Sequence, residues 1–229
     1  IAERAGKEVA QRVVREFQDR NPPAPRDGIL YLCLDSTFVR SHQGRNRWRE
    51  GKVGYVCSEA RAPTGRQGKQ RVVDPHFISS FEKIDVFTRR VYTAAIQHDY
   101  RSYSEVIVLG DGAQWIRRMR RHCFPRARYV LDWYHLHEKV GRVLRETFPG
   151  MRAFRRGQTR HLTDLLWTGR KGDALAAVEE LRRRWYEDSS LRAPRPDDRA
   201  PYHTLDDLIT YLRSNWEGIV HYEDMQESG

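Results

Sequence analysis

The chain has 229 residues, a formal net charge of +10, 39% hydrophobic residues and 31% charged residues. This composition is typical of a globular protein with an anionic partner, and no apolar run approaches the length of a bilayer span, which argues against a membrane protein. The three cysteines are odd in number and lack metal-ligand spacing, so we expect neither a disulfide framework nor a zinc site. A reducing, cytoplasmic location fits these features.

The first third of the chain predicts a helix followed by three strands. Residues 1–27 begin with apolar side chains at helical spacing and end in a proline-rich stop, which is typical of a linker helix. Pro75 interrupts the third predicted strand, where proline is expected only at a bulge or a sheet edge. The predicted strands, of which the first two form an antiparallel pair, are 28–39, 52–57 and 71–80.

The rest of the chain alternates helices and strands and then becomes all-helical. Ser79 and Glu82 match a capping box at the start of the next helix. A proline- and charge-rich loop at 188–203 is expected to be mobile. The predicted elements are a helix at 81–98, a strand at 105–110, a helix at 113–123, a strand at 127–131, and helices at 136–144, 163–167, 173–186 and 204–215.

This order of elements predicts an α/β fold. Three antiparallel strands, a helix, a parallel strand, a second helix and a fifth strand form the order of an RNase H-like mixed five-stranded sheet with flanking helices. An all-helical insertion follows. We expect the RNase H-like core to span 28–135 and the helical region to span 136–229.

Two aspartates mark the predicted site. Asp35 is the only charge in the first apolar strand, and Asp111 follows the strand at 105–110 between two glycines. Ligands bind beyond the carboxyl ends of parallel strands, so adjacent strands would bring the two carboxylates together, where they could hold Mg²⁺ or Mn²⁺. A two-metal site of this kind catalyses phosphoryl displacement. The alternative is that each aspartate only ends a strand and caps the next element.

Asp132 and His135 follow the fifth predicted strand. One aspartate and one histidine are too few ligands for zinc, so we expect them to support the site. Alternatively, His135 caps or hydrogen-bonds the fifth strand. The tryptophans Trp115, Trp133 and Trp167 fall on apolar faces and are expected in the core rather than in base stacking.

Basic clusters predict contacts with phosphate groups. Taken singly, such clusters are usually solvated helix faces, but together with the net charge they favour DNA binding. The arginines expected to bind DNA are Arg117, Arg118, Arg120, Arg121, Arg155 and Arg156.

Several of these motifs resemble those of insertion-sequence DDE transposases of the ISKra group. The similarity runs over nearly the whole chain, and the second and third of its three main motifs are together fairly specific. The motifs are Leu34-Asp-Ser-Thr37, Leu109-Gly-Asp-Gly-Ala-Gln-Trp115 and Leu131-Asp-Trp-Tyr-His135, with further similarity at Trp48–Gly54, Phe124–Ala127, Leu166–Trp167 and Asn215–Tyr222.

The resemblance implies roles for individual residues. Asp35 and Asp111 match the first two catalytic carboxylates, and Asp132 with His135 matches an Asp-x-x-His element shared with Mutator-like and hAT transposases. In the family the third acid, a glutamate, lies on a helix beyond the position of Gly229, and a DNA-recognition region precedes the catalytic domain. None of Glu217, Glu223 and Glu227 matches that third acid. We therefore expect these residues to be a fragment that is inactive alone.

The implied reaction is magnesium-dependent DNA cleavage and strand transfer, with two ions in the complete site and double-stranded DNA, at transposon ends and target, as the partner. It would take place in the prokaryotic cytoplasm, at the nucleoid when DNA is bound, and is compatible with a homodimer on DNA. Two alternatives stay open. One is an RNase H-like nuclease or resolvase that cuts without joining, and the other is a catalytically dead remnant of a transposase that only binds DNA.

Overall fold

The computed structural model describes residues 24–40, 48–60, 71–188 and 204–228. The helix predicted near the N-terminus and nearly all of the predicted loop at 188–203 lie outside these ranges. No helix of the described ranges is both long and apolar enough to span a membrane.

Five strands form one mixed sheet in the order β3-β2-β1-β4-β5. β1 is antiparallel to β2 and parallel to β4, and β2 is antiparallel to β3. The predicted α/β class with a mixed five-stranded sheet is therefore confirmed. The strands are β1 (Arg26–Arg40), β2 (Trp48–Ala60), β3 (Arg71–Ser80), β4 (Tyr103–Gly110) and β5 (Arg128–Leu131).

Seven α-helices lie in the described ranges, and those predicted from residue 81 onward are all among them. Their bounds differ from the predictions by several residues, mainly because polar residues extend helices beyond the apolar positions that reveal them. The helices are α1 (Ile84–Gln97), α2 (Gln114–Cys123), α3 (Trp133–Thr147), α4 (Arg152–Trp167), α5 (Lys171–Glu187), α6 (Leu205–Ser214) and α7 (Tyr222–Ser228).

The turn between β3 and α1 corrects the predicted capping box. Ser79 still belongs to β3, and the helix begins after Lys83, which makes no side-chain capping hydrogen bond. Instead, the Ser80 hydroxyl accepts a hydrogen bond from the Glu82 amide at 3.0 Å and donates one to its carboxylate at 3.0 Å. The pairing of Ser79 with Val53 explains the difference, because the strand continues past the expected cap.

Pro75 lies where the sequence predicts it. β3 is an outer strand of the sheet, and the register of β2 and β3 shifts between the pairs Val56–His76 and Ser58–Val73. Three steps along β3 therefore oppose two along β2, which is a β-bulge containing Pro75. The expectation of a bulge or an edge is confirmed in both respects.

The chain divides into two compact units, residues 1–129 and 130–229. In the first, the β1 side chains at alternate positions pack with α1 and α2 into one apolar core. Strand residues two apart share a face, so the intervening positions, which include Asp35, belong to the opposite face. The core contains Leu30, Leu32, Leu34, Val56, Phe87, Val91, Val108, Ile116 and Met119.

In the second unit, α3, α4, α5 and α6 each pack against two neighbours, in the closed sequence α3–α4–α5–α6–α3. A true capping box starts α6, because Thr204 accepts from the Asp207 amide while the Asp207 carboxylate accepts from the Thr204 amide. The buried apolar residues of this unit include Leu136, Val140, Leu144, Leu162, Leu166, Val178, Leu208 and Leu212.

Candidate functional site

The register of β1 and β4 brings the two predicted carboxylates to equivalent positions. Leu34 pairs with Gly110 in the parallel ladder, and Asp35 and Asp111 are the next residues of their strands. Adjacent strands lie about 4.8 Å apart, and residues at matching positions of parallel strands share a face. The two aspartates, 76 residues apart in the sequence, are thus neighbours at the carboxyl end of the parallel β1–β4 ladder, which we call the sheet edge; Asp111 directly follows β4, and Asp35 lies inside β1.

Each of these carboxylates is anchored by a backbone amide close to it. The Ser36 amide donates to Asp35 Oδ1 at 2.7 Å, and the Ala113 amide donates to Asp111 Oδ1 at 2.8 Å. Gly112 makes the second turn possible with φ of 94°, a conformation that other residues rarely adopt. Neither contact is a helix cap, because β1 continues past Asp35 to Arg40 and α2 begins after Ala113 without a side-chain capping hydrogen bond. A carboxylate has further lone pairs with which to bind a cation.

Two glycines allow close packing behind the aspartates. A Cβ at Gly54, which pairs with Leu34, would lie 2.7 Å from Leu34 Cδ2 and 3.0 Å from the Cys33 carbonyl oxygen. A Cβ at Gly110 would lie 2.7 Å from Ile116 Cδ1. The close approach of α2 to β4 therefore favours a residue without a side chain at this position. Gly110 directly precedes Asp111, so this packing lies immediately behind the candidate site.

A buried lysine network was missed by the sequence analysis, and it lies on the face of the sheet opposite to Asp35. Lys52 pairs with Ser36 and is only 3% exposed. Its amine donates to Glu50 Oε2 at 3.0 Å and to the Glu82 carbonyl at 3.3 Å, and the Glu82 carboxylate accepts from Arg90. A charge at the start of an alternating strand is usually exposed, so only the two acids close to Lys52 in sequence or space could have indicated its burial.

Asp132 and His135 form a local pair in the second unit. Asp132 is the N-cap of α3 and accepts from the Tyr134 amide at 3.2 Å, while its other oxygen lies 2.5 Å from His135 Nδ1. The carboxylate fixes the orientation of the imidazole ring. His135 lies in the first turn of α3, and its two expected roles, support of the site or contact with the fifth strand, remain predictions.

The predicted core tryptophans pack against other aromatic rings. Trp115 meets Phe87 edge-on with ring centroids 5.7 Å apart. In the second unit, Trp133 and Trp167 are 4.8 Å apart, and Tyr222 stacks on Trp167 and donates to the Leu131 carbonyl oxygen at 2.9 Å. These contacts confirm the expectation that the three tryptophans are structural.

A sequence model of the uncharacterised protein family UPF0236 matches residues 9–229. The chain belongs to UPF0236. No curated protein matches it.

The six arginines expected to bind DNA lie on two helices of this UPF0236 chain. On α2, Arg118 and Arg121 are exposed, whereas Arg120 donates from Nε to the Ala127 carbonyl oxygen at 2.6 Å and holds the turn after the helix. On α4, Arg156 is exposed and Arg155 donates to the Arg145 carbonyl oxygen at 3.4 Å. Arg117 on α2 is partly buried. The expected DNA contacts remain predictions for all six residues.

The donor set at the sheet edge of this UPF0236 chain suits a hard divalent cation. Within the described ranges, no group of three or more histidine, cysteine, aspartate or glutamate side chains is placed to hold a metal ion. Mg²⁺, however, is usually bound by one or two carboxylates, with water and substrate phosphates completing the shell. Asp35 and Asp111 meet that requirement. Cys33, Cys57 and Cys123 form no disulfide with one another.

Proposed function

We propose that this chain is the catalytic core of a DDE transposase with an RNase H-like fold, which cleaves DNA and transfers strands with Mg²⁺. The observation that carries the proposal is the β1–β4 register, which makes Asp35 and Asp111 neighbours at the sheet edge. The strand order β3-β2-β1-β4-β5 and the net charge of +10 also support it.

In this proposal Asp35 and Asp111 would hold the metal ions. When bound, divalent ions activate the attacking oxygen and neutralise charge on the leaving oxygen in a phosphoryl displacement. The backbone amides of Ser36 and Ala113 orient the two carboxylates, and the packing of Gly110 against Ile116 fixes the strand end that carries Asp111. Little reorganisation is then needed when the substrate arrives.

The proposed partner is double-stranded DNA, and the proposed location is the cytoplasm. The exposed Arg118 and Arg121 on α2, together with Arg156 on α4, supply positive charge for phosphate contacts. Asp132 and His135 have a supporting role, with the carboxylate holding the ring in one orientation.

Calorimetry with Mn²⁺ tests the metal site directly. We expect binding by the chain to be lost when Asp35→Asn and Asp111→Asn are combined, because the amides keep the shape of the side chains but lose their charge. The matched control is Asp224→Asn, an exposed aspartate of the second unit. Binding that persists in the double variant would remove the metal from these residues.

A cleavage and strand-transfer assay separates the candidate functions. Labelled transposon-end DNA with Mg²⁺ is given to the chain and to a version extended by the acidic helix that the resemblance expects. Joined products from the extended version, abolished by Asp111→Asn, support a transposase. Cleavage of branched DNA without joining indicates a nuclease or resolvase, and DNA binding without cleavage by either version indicates an inactive remnant.

A further inference from the structure

The end of the β1–β2 ladder at the Arg40–Trp48 pair carries large side chains that are exposed in the part of the chain that the structure describes. We call this region the ladder end and define it by Phe38, Val39, Trp48, Arg49 and Phe81. Phe38 is 70% exposed, Trp48 57% and Phe81 53%. Burying such rings against a partner would remove a considerable apolar area from water, so their exposure marks an interaction surface.

The ladder end has an aromatic ring on each face of the sheet. Val39 pairs with Arg49, and Phe38 pairs with Glu50, so alternation places Phe38 and Trp48 on one face and Val39, Arg49 and Phe81 on the other. The Phe81 ring lies over Gly51, since a Cβ there would be 3.2 Å from both the ring and Val39. The Arg49 guanidinium stands 5.1 Å from the centroid of the same ring.

The charge around the ladder end is positive. Arg40 ends β1 and pairs with Trp48, and Arg49 follows Trp48 on β2. The adjacent acid, Glu50, accepts a hydrogen bond from the buried Lys52 at 3.0 Å and is therefore neutralised within the protein. A purely apolar partner would gain nothing from these arginines, whereas an anionic chain with flat rings would use both the rings and the charges.

The ladder end is also continuous with the candidate site. Asp35 and Val39 are four residues apart on β1 and share a face, which separates them by about 13 Å along the strand. A strand whose phosphate lies at Asp35 could therefore extend over Phe81 without leaving the sheet.

We propose that the ladder end binds unpaired nucleobases of a DNA strand. Phe81 and Trp48 would stack on bases, as exposed aromatic rings do in proteins that bind single strands, and Arg40 and Arg49 would contact phosphates. The inference rests on the proposed function for the nature of the nucleic acid, and it adds a site for single-stranded or frayed DNA beside the carboxylate pair.

The test measures the anisotropy of a short labelled single-stranded oligonucleotide and of the matching duplex in EDTA, so that binding does not depend on metal. We expect Trp48→Leu combined with Phe81→Leu to weaken single-strand binding about tenfold and duplex binding much less. Phe77→Leu is the matched control, because Phe77 is 75% exposed on the same face as Phe81 but lies on β3 away from the arginines. It should bind like the unaltered chain.

Several results would overturn the inference. They are unchanged single-strand binding by the double variant, an equal loss in Phe77→Leu, and an equal loss for duplex and single strand. Light scattering adds a fourth, because a variant that converts a dimer to a monomer would show that a second copy occupies the ladder end.

A crosslinking experiment on the unaltered chain covers the case in which the variants do not fold. An oligonucleotide with 5-iododeoxyuridine should crosslink to peptides containing Trp48 or Phe81, and crosslinks confined to α2 or to the second unit would contradict the inference. The outcome is separate from that of the cleavage assay. Crosslinks at the ladder end without metal-dependent cleavage would refute only the proposed reaction, and cleavage without these crosslinks would refute only this inference.

Discussion

The two candidate pairs of side chains in this protein are brought together in different ways. Asp35 and Asp111 are neighbours only because two distant strands pair in one particular register. Asp132 and His135 are neighbours because they are three residues apart at the start of a helix. Any helix that begins with an aspartate can form the second arrangement, and it supplies an N-cap in the process.

The difference shows how strongly each arrangement suggests a function. A local pair is explained by the helix it starts, since Asp132 caps α3 and orients His135. No element of secondary structure requires two carboxylates side by side at the end of a parallel ladder, where their charges repel each other. The sheet-edge pair is therefore the better candidate for a reaction site, and the local pair for its support. Four predictions test this distinction.

The largest expected effect is on the reaction. Asp111→Asn should reduce cleavage by the extended chain at least about a hundredfold, because a charge that acts on the transition state is lost. Asp132→Asn should have a much smaller effect, since the amide can still cap α3. Rates measured with Mg²⁺ on the same labelled DNA give the comparison, and equal losses in the two variants would remove the distinction between the pairs.

The packing behind the sheet-edge pair should be sensitive to one methyl group. Gly110→Ala should lower the free energy of unfolding by about 1–3 kcal/mol, because the added Cβ would overlap Ile116. Gly141→Ala is the control, since nothing lies within 4 Å of its Cβ position and alanine favours the helix α3. Urea denaturation measures both, and a fully stable Gly110→Ala variant would mean that α2 can move away from β4.

The local pair should show its structural role through stability. Asp132→Ala should lower the free energy of unfolding by about 1 kcal/mol through loss of the N-cap. Asp132→Asn should largely keep it, since asparagine is an equally good cap. Thermal melts of the two variants are the measurement. A large loss in Asp132→Asn would show that the contact with His135, rather than the cap, stabilises this region.

The helices that follow the two pairs should differ in DNA binding. The sequence of α2 contains no acidic residue, so no carboxylate of the same helix offsets the charge of its arginines. In α3, Arg142 donates a hydrogen bond to the Glu138 carboxyl and lowers its pKa, so the charge of this arginine is already balanced within the helix. Arg118→Gln with Arg121→Gln should therefore reduce the slope of log affinity against log salt by about 1.8, at about 0.9 per phosphate. Arg142→Gln should leave the slope unchanged. Anisotropy titrations with duplex DNA at several salt concentrations provide the test.

Much of the fold could be predicted because its signals are local. Apolar runs reveal β1 and β4, and Pro75 indicates a bulge in an outer strand without knowledge of the partner. Helical periodicity also revealed α3, α5, α6 and the end of α4, but not the first part of α4 or α7. The capping box at Ser79 was the exception, because a strand pairing outside the motif extends β3 through that residue.

The candidate site could be predicted only in part. The apolar segments before Asp35 and Asp111, with the expected strand order, placed the two carboxylates on adjacent strands. β1 continues to Arg40, however, so Asp35 lies inside its strand rather than at its end. The burial of Lys52 could not be predicted, because hydrophobicity would place Val53 inside and Lys52 outside, whereas Val53 is exposed. The exposure of Phe81 likewise depends on where β3 ends relative to Gly51, which only the register determines.

The bulge at Pro75 has a consequence for the protein in a crowded cell. An outer strand offers a row of backbone amides and carbonyls on which a strand of another molecule can add, and sheets with long regular edges tend to aggregate in this way. Pro75 has no amide hydrogen to offer, and the extra residue of the bulge breaks the regular spacing of its neighbours. β3 is thus a poor template for a strand of a second chain. Copies of the protein that fold close together are therefore less prone to pair with one another through this strand.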